Sequence, residues 1–190
     1  NYGKSYFTTD EEGGWGDYLA DSCFYERYPN DERKKFNFVT EFQPGGVGRK
    51  INFKKTVMRS PAINKYRDYG GVSSPQSLGI TPIYRYADVL LMYAEASLEA
   101  GDKPTAIEYL DMVRTRGDNM PSINDTYPQG ITENQLREII RRDRRIELAF
   151  EDKRWWDILR WKICDGENGV MNKPIGGMKI EDTNGDGVWE

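Results

Sequence analysis

A chain of 190 residues with a net charge of −4 and no histidine excludes several classes of function. The acidic balance argues against nucleic acid or an anionic membrane as the main partner, because both carry negative charge. The absence of histidine removes the commonest general base, the serine–histidine and cysteine–histidine pairs and most transition-metal sites. Catalysis by carboxylates alone remains open. The mean hydropathy of −0.79 is low for a chain that forms its own hydrophobic core.

The two cysteines and the chain ends carry limited information. Cys23 and Cys164 lack CxxC spacing, which favours two unpaired packing residues, although a single disulfide stays open. There is no secretory signal and no apolar run of membrane-spanning length. Because the sequence begins at Asn1 without methionine and ends at Glu190 within a predicted loop or strand, we expect a piece or a processed form of a longer protein.

The first of three predicted segments, residues 1–81, is rich in loops. Glycines surround Trp15, and no helical periodicity is sustained in this segment. Alternating apolar residues at 36–42 and 50–57 predict short strands. The run GGVGRK at 45–50 lacks the spacing of a phosphate-binding loop and no helix follows it, so a plain glycine loop is favoured.

The second predicted segment, residues 82–163, begins with a helical hairpin. Strong helix formers fill residues 84–100 between Pro82 and Gly101, and their broad apolar face predicts a helix buried on more than one side. Asp102 then caps a second helix. Two antiparallel helices joined by so short a turn have the shape of one tetratricopeptide-like unit.

Two further helices complete this segment. Thr132 and Gln135 match a capping box, which predicts a third helix that ends near Phe150. A fourth helix is predicted over residues 153–163. Helical spacing predicts that its aromatic residues pack in the core or against another helix, namely Trp155, Trp156 and Trp161.

Charged residues are dense along the third and fourth helices. Arginines between positions 141 and 145 alternate with acidic residues, which favours a salt-bridged structural face over a nucleic-acid patch. Arg154 and Asp157 are expected to join Glu147 and Glu151 in a partly buried network that fixes how the two helices pack. A catalytic pair of carboxylates is the alternative, since glycosidases use two such residues.

The third predicted segment, residues 164–190, is a tail of loop and short strand. Its DTNGDG run matches the first half of a calcium loop, with candidate ligands Asp182, Asn184 and Asp186. The glutamate that completes such a loop would fall beyond residue 190, and a turn rich in aspartate, asparagine and glycine has the same letters. We therefore expect no cofactor, with calcium as the weaker alternative.

Three long stretches occur in an order that resembles a known family. They are YRYADVLLMYAEA at 84–96, AIEYLDMVRTRG at 106–117 and RRDRRIELAFEDKRWWDILRW at 141–161. Together they resemble the C-terminal part of the SusD/RagB family of outer-membrane glycan-binding lipoproteins. Two upstream stretches, GGWG at 13–16 and YPNDERKKF at 28–36, resemble segments that precede this part in the family.

The sequence departs from the family pattern at three positions and lacks several of its parts. Glu32 stands where proline is usual, Asp111 where asparagine is common and Asp143 where glutamate is usual. The lipidated N-terminal cysteine, the N-terminal helical half and the closing Pro-Ile-Pro and Asn-Pro-Gly segments of the family are absent from this sequence. The resemblance therefore implies a fragment truncated at both ends.

The resemblance also implies a fold and a function. The fold is mainly α, with tetratricopeptide-like helical hairpins, a long loop-rich segment and a few short strands. The function is non-catalytic: the protein binds an oligosaccharide at the bacterial surface and delivers it to a TonB-dependent, SusC-like transporter for nutrient uptake. The expected location is the outer membrane, reached only through a lipid anchor that this chain lacks. A helical-repeat scaffold whose only partner is protein is the alternative.

In this family, loop aromatics and a few polar groups bind the glycan, which directs attention to the first segment. An exposed ring covers the apolar C–H face of a pyranose, while carboxylates and guanidiniums bond its hydroxyls. Trp15 and Tyr18 are the leading candidates, because Trp15 is a large aromatic among glycines on a predicted loop. Packing is the alternative role for both rings. The supporting candidates are Asp17, Asp21, Tyr66, Arg67 and Tyr69.

Overall fold

The protein consists of two compact units, which are described separately. One comprises Asn1–Ile80 with Pro174–Glu190, and the other is Thr81–Lys173. The computed structural model describes residues 19–42, 50–56, 59–66, 82–165 and 169–172.

The first unit contains short helices and two small antiparallel sheets. Its elements are α1 (Ser22–Arg27), α2 (Glu32–Asn37), β1 (Phe38–Val39), β2 (Glu41–Phe42), β3 (Ile51–Asn52), a 3-10 turn (Phe53–Lys55) and β4 (Ala62–Ile63). Strand β1 pairs with β4, and β2 pairs with β3. The predicted strand at 36–42 is shorter in the structure, because α2 occupies its first two residues. Asp21 and Asp31 cap the two helices that sequence reasoning missed.

An aromatic cluster holds the described part of this unit together. Tyr28, Phe38 and Phe53 are buried, and Tyr25 lies edge-on to Phe38 at 5.1 Å and to Phe53 at 5.2 Å between ring centroids. Edge-to-face pairs of this kind add about 0.5–1.5 kcal/mol each beyond the apolar area they bury. Aromatics of the first segment therefore serve packing at these positions, and Tyr28 also accepts a hydrogen bond from Asn37 at 2.9 Å.

The second unit is helical in all the regular structure that its described residues show. Its elements are α3 (Tyr86–Glu99), α4 (Lys103–Arg114), a 3-10 turn (Arg116–Asp118), α5 (Ile123–Thr126), α6 (Glu133–Glu147), α7 (Arg154–Arg160) and a second 3-10 turn (Val170–Asn172). The predicted hairpin is α3 and α4, and the predicted capping box at the start of α6 is confirmed by both of its hydrogen bonds. The mainly α fold class with a tetratricopeptide-like hairpin is confirmed.

The core of the second unit lies where the hairpin packs on α6. Leu91 and Ala94 of α3, Leu110 of α4, and Leu136 and Ile140 of α6 are almost completely buried and belong to one cluster. Ala94 is small enough for the helix backbones to approach closely. Burying a leucine or isoleucine side chain contributes about 1.5–3 kcal/mol, so each of these residues stabilises the packing of the hairpin on α6.

The turn between α3 and α4 depends on one glycine. Gly101 has a φ of 85°, a conformation that glycine adopts without the steric cost of a Cβ atom. The Gly101 amide donates to Leu98 and the Asp102 amide to Ser97, which satisfies the last carbonyls of α3. Asp102 accepts from the Thr105 amide at 3.2 Å and begins α4. In the described part of the chain, no helix has the length and apolarity needed to cross a bilayer.

Candidate functional site

Most of the sequence-predicted ligand residues lie outside the described part of the chain. This holds for Trp15, Asp17, Tyr18, Arg67 and Tyr69, and for the candidate calcium ligands Asp182, Asn184 and Asp186. The two described members, Asp21 and Tyr66, both belong to the first unit. The proposed glycan site and the calcium loop thus stay predictions.

Asp21 has a structural role in the first unit. Its Oδ1 accepts a hydrogen bond from the Phe24 amide at 2.6 Å and caps α1. Within the described residues its Oδ2 is buried and has no hydrogen-bond partner. One carboxylate oxygen therefore holds the helix, and the other keeps its capacity to accept a hydrogen bond. Tyr66 is half-buried in the turn after β4.

A shallow groove of about 470 Å³ lies along α1 beside this cap. Its floor is Phe53, and Lys54 bonds Glu26 across it at 2.7 Å. The hydrogen bond from Lys54 holds the pKa of the Glu26 carboxyl below its ordinary value. Cys23 is exposed on the groove wall as a free thiol, and Cys164 is also free, so the two form no disulfide and Cys23 is not a packing residue.

The second unit contains a buried charge centre on α3, α6 and α7. Arg144 of α6 donates to Asp88 of α3 at 2.6 Å and to Asp157 of α7 at 2.9 Å. All three side chains are nearly solvent-free. One guanidinium therefore ties three helices together. The expectation that charges fix the packing of the third and fourth predicted helices is confirmed only in part, because Arg144 supplies the cation and Glu147 and Glu151 pair elsewhere. Asp157 takes part in the charge centre, whereas Arg154 does not.

A second part of the network surrounds the start of α3. Arg85 donates to Glu147 at 2.8 Å and to both oxygens of Glu151, and Arg116 reaches the same Glu147 at 2.9 Å. Although burial alone would lower the pKa of Arg85, its bonds to these carboxylates raise it above the ordinary value, so the cation is permanent. Sequence reasoning missed Arg85, because its partners lie 62 and 66 positions away and leave no local signal.

A third part joins α3 to the end of α7. Arg160 donates to both oxygens of Glu95, and Trp161 donates to Glu95 through its indole nitrogen, all at 2.6 Å. Burial would raise the pKa of Glu95, but these three hydrogen bonds and the charge of Arg160 outweigh it and lower the pKa. The predicted packing role is thus confirmed for Trp161, which is half-buried and bonded.

The packing prediction is wrong for the two other tryptophans of this helix. Trp155 is 51% exposed and Trp156 is 66% exposed. The reason is that Asp157 points inward to reach Arg144, which turns the preceding residues outward. Both rings line a cavity of about 400 Å³ where α6 ends and α7 begins.

The second unit therefore defines the class of protein as a helical scaffold built on a tetratricopeptide-like hairpin, with charged residues at the helix contacts. A model of the SusD family matches residues 30–189, and the chain belongs to that family. The match includes the described residues of the second unit and those of the first unit from α2 onward.

Individual relatives agree with this assignment. The SusD-like protein P2 of Formosa agariphila is 35% identical over 134 residues, which are 64% of this chain and 26% of that protein. The SusD-like protein P38 of the same organism is 38% identical over 94 residues, 47% of this chain and 18% of that protein. The crystal structure of a SusD-like protein from Bacteroides fragilis covers 84% of this chain and 39% of its own, with 23% identity and a TM-score of 0.63.

The chain spans about a quarter of the length of the curated relatives it matches. The likeness to the Bacteroides fragilis structure supports the fold. Two of the residues that depart from the family pattern have structural roles. Asp111 accepts a hydrogen bond from the Ile123 amide at 2.8 Å, and Asp143 accepts one from buried Arg114.

Proposed function

We propose that this protein binds an oligosaccharide for nutrient uptake and carries out no chemistry. Membership of the SusD family is the observation that carries the proposal. Its partner is a SusC-like TonB-dependent transporter, to which the glycan is delivered. The protein is located at the outer face of the outer membrane, where a lipid anchor attaches it.

The state of the acidic residues supports a binding role over a catalytic one. Glycoside hydrolysis needs one carboxylate as acid and another as nucleophile or base, with both facing a cleft. In the helical unit the acidic groups Glu147, Glu151 and Asp157 instead accept hydrogen bonds from guanidiniums in the helix contacts. Their lone pairs are used in packing, so these residues stabilise the scaffold.

The glycan-binding residues of the proposal lie in the first segment. Trp15 and Tyr18 supply ring faces, and Asp17, Asp21 and Arg67 bond sugar hydroxyls, with Tyr66 and Tyr69 as additional rings. Oδ2 of Asp21 supports this assignment, because among the described residues it has no hydrogen-bond partner, and a carboxylate oxygen in that state favours a donor such as a hydroxyl.

Calorimetry against a panel of neutral and acidic oligosaccharides tests the proposal. Trp15→Ala and Tyr18→Ala are expected to abolish binding of the glycan that the protein accepts. Phe36→Ala is the matched control, because Phe36 is 62% exposed on α2 and is assigned no ligand role. Absence of binding to every member of the panel would refute the oligosaccharide part of the proposal.

A second candidate function is a scaffold whose only partner is protein. It is favoured by exposed aromatics on α3, where Tyr86 is 68% and Tyr93 is 50% exposed. Co-purification of this protein with its transporter, measured beside sugar binding, distinguishes the two functions. Retained association together with lost sugar binding in Trp15→Ala supports a glycan carrier, while association without any sugar binding in the unmodified protein supports the scaffold.

A further inference from the structure

The cavity at the junction of α6 and α7 has no assigned role. Its volume of about 400 Å³ is sufficient for one or two sugar rings or a comparable small group. The walls combine positive and aromatic side chains with the backbone of the connecting loop. The lining that matters here is Arg145, Asp152, Lys153, Arg154, Trp155 and Trp156.

The connecting loop positions these groups. Phe150 and Asp152 have φ angles of 67° and 56°, a left-handed conformation that non-glycine residues adopt at some cost. Residues of the last turn of α6 and of the first turn of α7 line the same cavity. The surrounding structure therefore holds the cavity walls in place.

Arg154 differs from the other arginines around it. Within the part of the chain that the structure describes, its guanidinium makes no ion pair within 4.0 Å, and it lies 5.9 Å from the centroid of the Trp161 ring. By contrast, each of eight neighbouring arginines of this unit bonds a carboxylate: Arg85, Arg114, Arg116, Arg137, Arg141, Arg142, Arg144 and Arg160.

A half-buried guanidinium without a counter-ion is unfavourable, because burial removes water without replacing its hydrogen bonds. Burial and the nearby charge of Arg145 lower the pKa of Arg154, and the weaker attraction of Asp157 offsets them only in part. An anion in the cavity would relieve both effects. Lys153 is already engaged, since it donates to the Ile83 carbonyl at 2.6 Å and lies 3.3 Å from Asp88.

We propose that this cavity binds the anionic group of an acidic oligosaccharide, a uronic acid carboxylate or a sulfate ester. Arg154 pairs with the anion, and Trp155 and Trp156 cover the apolar face of the same or the next sugar ring. This inference rests on the proposed glycan-binding function and names the substrate class. Two acidic residues also line the cavity: Asp157 is paired with Arg144 and Arg160, whereas Asp152 is exposed and repels the anion, which limits the affinity.

Two ligands that differ only in their carboxylate charges measure how much those charges contribute to binding. Calorimetry with tetragalacturonate and with its fully methyl-esterified form compares the same sugar skeleton with and without carboxylates, and a sulfated tetrasaccharide distinguishes the two anion sources. The acidic form is expected to bind at least about tenfold more tightly than the ester, the effect of one charge-assisted hydrogen bond. Its affinity is also expected to fall with added salt.

Variants of the cavity distinguish an ion pair from general attraction. Arg154→Gln is expected to remove most of the preference for the acid, and Arg154→Lys to restore part of it. Asp152→Asn is expected to tighten binding of the acid and to leave the ester unchanged. Lys162→Gln is the matched control, because it removes one positive charge on the same unit at a residue that does not line the cavity. Circular dichroism confirms that each variant is folded.

The outcomes separate this inference from the proposed function. Equal binding of acid and ester, or an acid preference that survives Arg154→Gln, overturns the acidic-sugar site while oligosaccharide binding itself remains. A loss in Lys162→Gln as large as that in Arg154→Gln overturns it as well, because attraction would then be non-specific. Absence of binding to acidic and neutral glycans alike refutes the proposed function.

Discussion

The guanidinium of Arg144 donates to Oδ1 of Asp88 at 2.6 Å, although the two residues are 56 positions apart. The contact joins the last turn of α6 to the first turn of α3, and both side chains are almost solvent-free. Asp157 closes the same centre from α7 at 2.9 Å. Three helices that are distant in sequence therefore share one buried cation.

Arg144→Met is expected to destabilise the protein by about 3–5 kcal/mol, because it removes the buried cation that bonds both carboxylates. Among the described residues, Asp88 then keeps only Lys153 at 3.3 Å, and Asp157 keeps only Arg160 at 2.9 Å. Urea unfolding followed by circular dichroism measures the change. The matched control is Arg141→Met on the same helix, whose partner Glu138 is 72% exposed, and a loss below about 1 kcal/mol is expected there. Similar losses in the two variants would show that Arg144 has no special role.

The hydrogen bonds of Glu95 predict a stability that depends on pH. Its pKa in the folded protein lies below the ordinary value of 4.5, so the contribution is fully present above that value and is lost as pH falls through the folded pKa. Glu95→Gln is expected to cost about 1–3 kcal/mol at pH 7, because hydrogen bonds to a charged group are lost.

The same comparison at pH 3 is the test of that linkage. The difference in the free energy of unfolding between the unmodified protein and Glu95→Gln is expected to become smaller at pH 3, since the carboxyl begins to protonate. Glu138→Gln serves as the control, because Glu138 is largely exposed and has one partner three residues away. A gap that stays constant with pH would contradict the assignment of the effect to ionised Glu95.

Local sequence signals predicted where the helices lie, whereas residues distant in sequence determine how the helices are oriented. The capping box of Thr132 and the left-handed Gly101 are short-range features, and both have the predicted role. The orientation of α7 was predicted wrongly, because apolar spacing places Trp155 inward whereas the ion pair of Asp157 with Arg144 turns it outward. Distant ion pairs of this kind leave no periodic pattern.

The candidate site was less accessible to sequence reasoning than the fold. The three-segment division and the ring-stacking role of Trp15 stay predictions. Asp21 had a signal that was overlooked: aspartate before a short helix is a cap, and Asp31 repeats it ten residues later. Arg154 was expected in the charge network, but among the described residues it forms no ion pair, because Asp157 pairs with Arg144 instead.

Asp111→Asn is expected to raise stability at pH 7 by on the order of 0.5 kcal/mol. Burial raises the pKa of Asp111 despite its bond from the Ile123 amide, so ionisation opposes folding above that pKa. Asparagine keeps an acceptor oxygen for this amide and removes the charge. The gain is expected to vanish as pH falls and Asp111 itself protonates, which thermal unfolding at pH 7 and pH 3 measures. Lower stability at pH 7 would contradict it.

Trp156→Ser is expected to change the free energy of unfolding by no more than about 0.5 kcal/mol, because Trp156 is 66% exposed. Trp161→Phe keeps most of the packing but removes the 2.6 Å hydrogen bond to Glu95, and a loss of about 1–3 kcal/mol is expected. Urea titration of both variants measures the difference. If Trp156→Ser cost several kcal/mol, the ring would belong to the core and the outward orientation of α7 would be wrong.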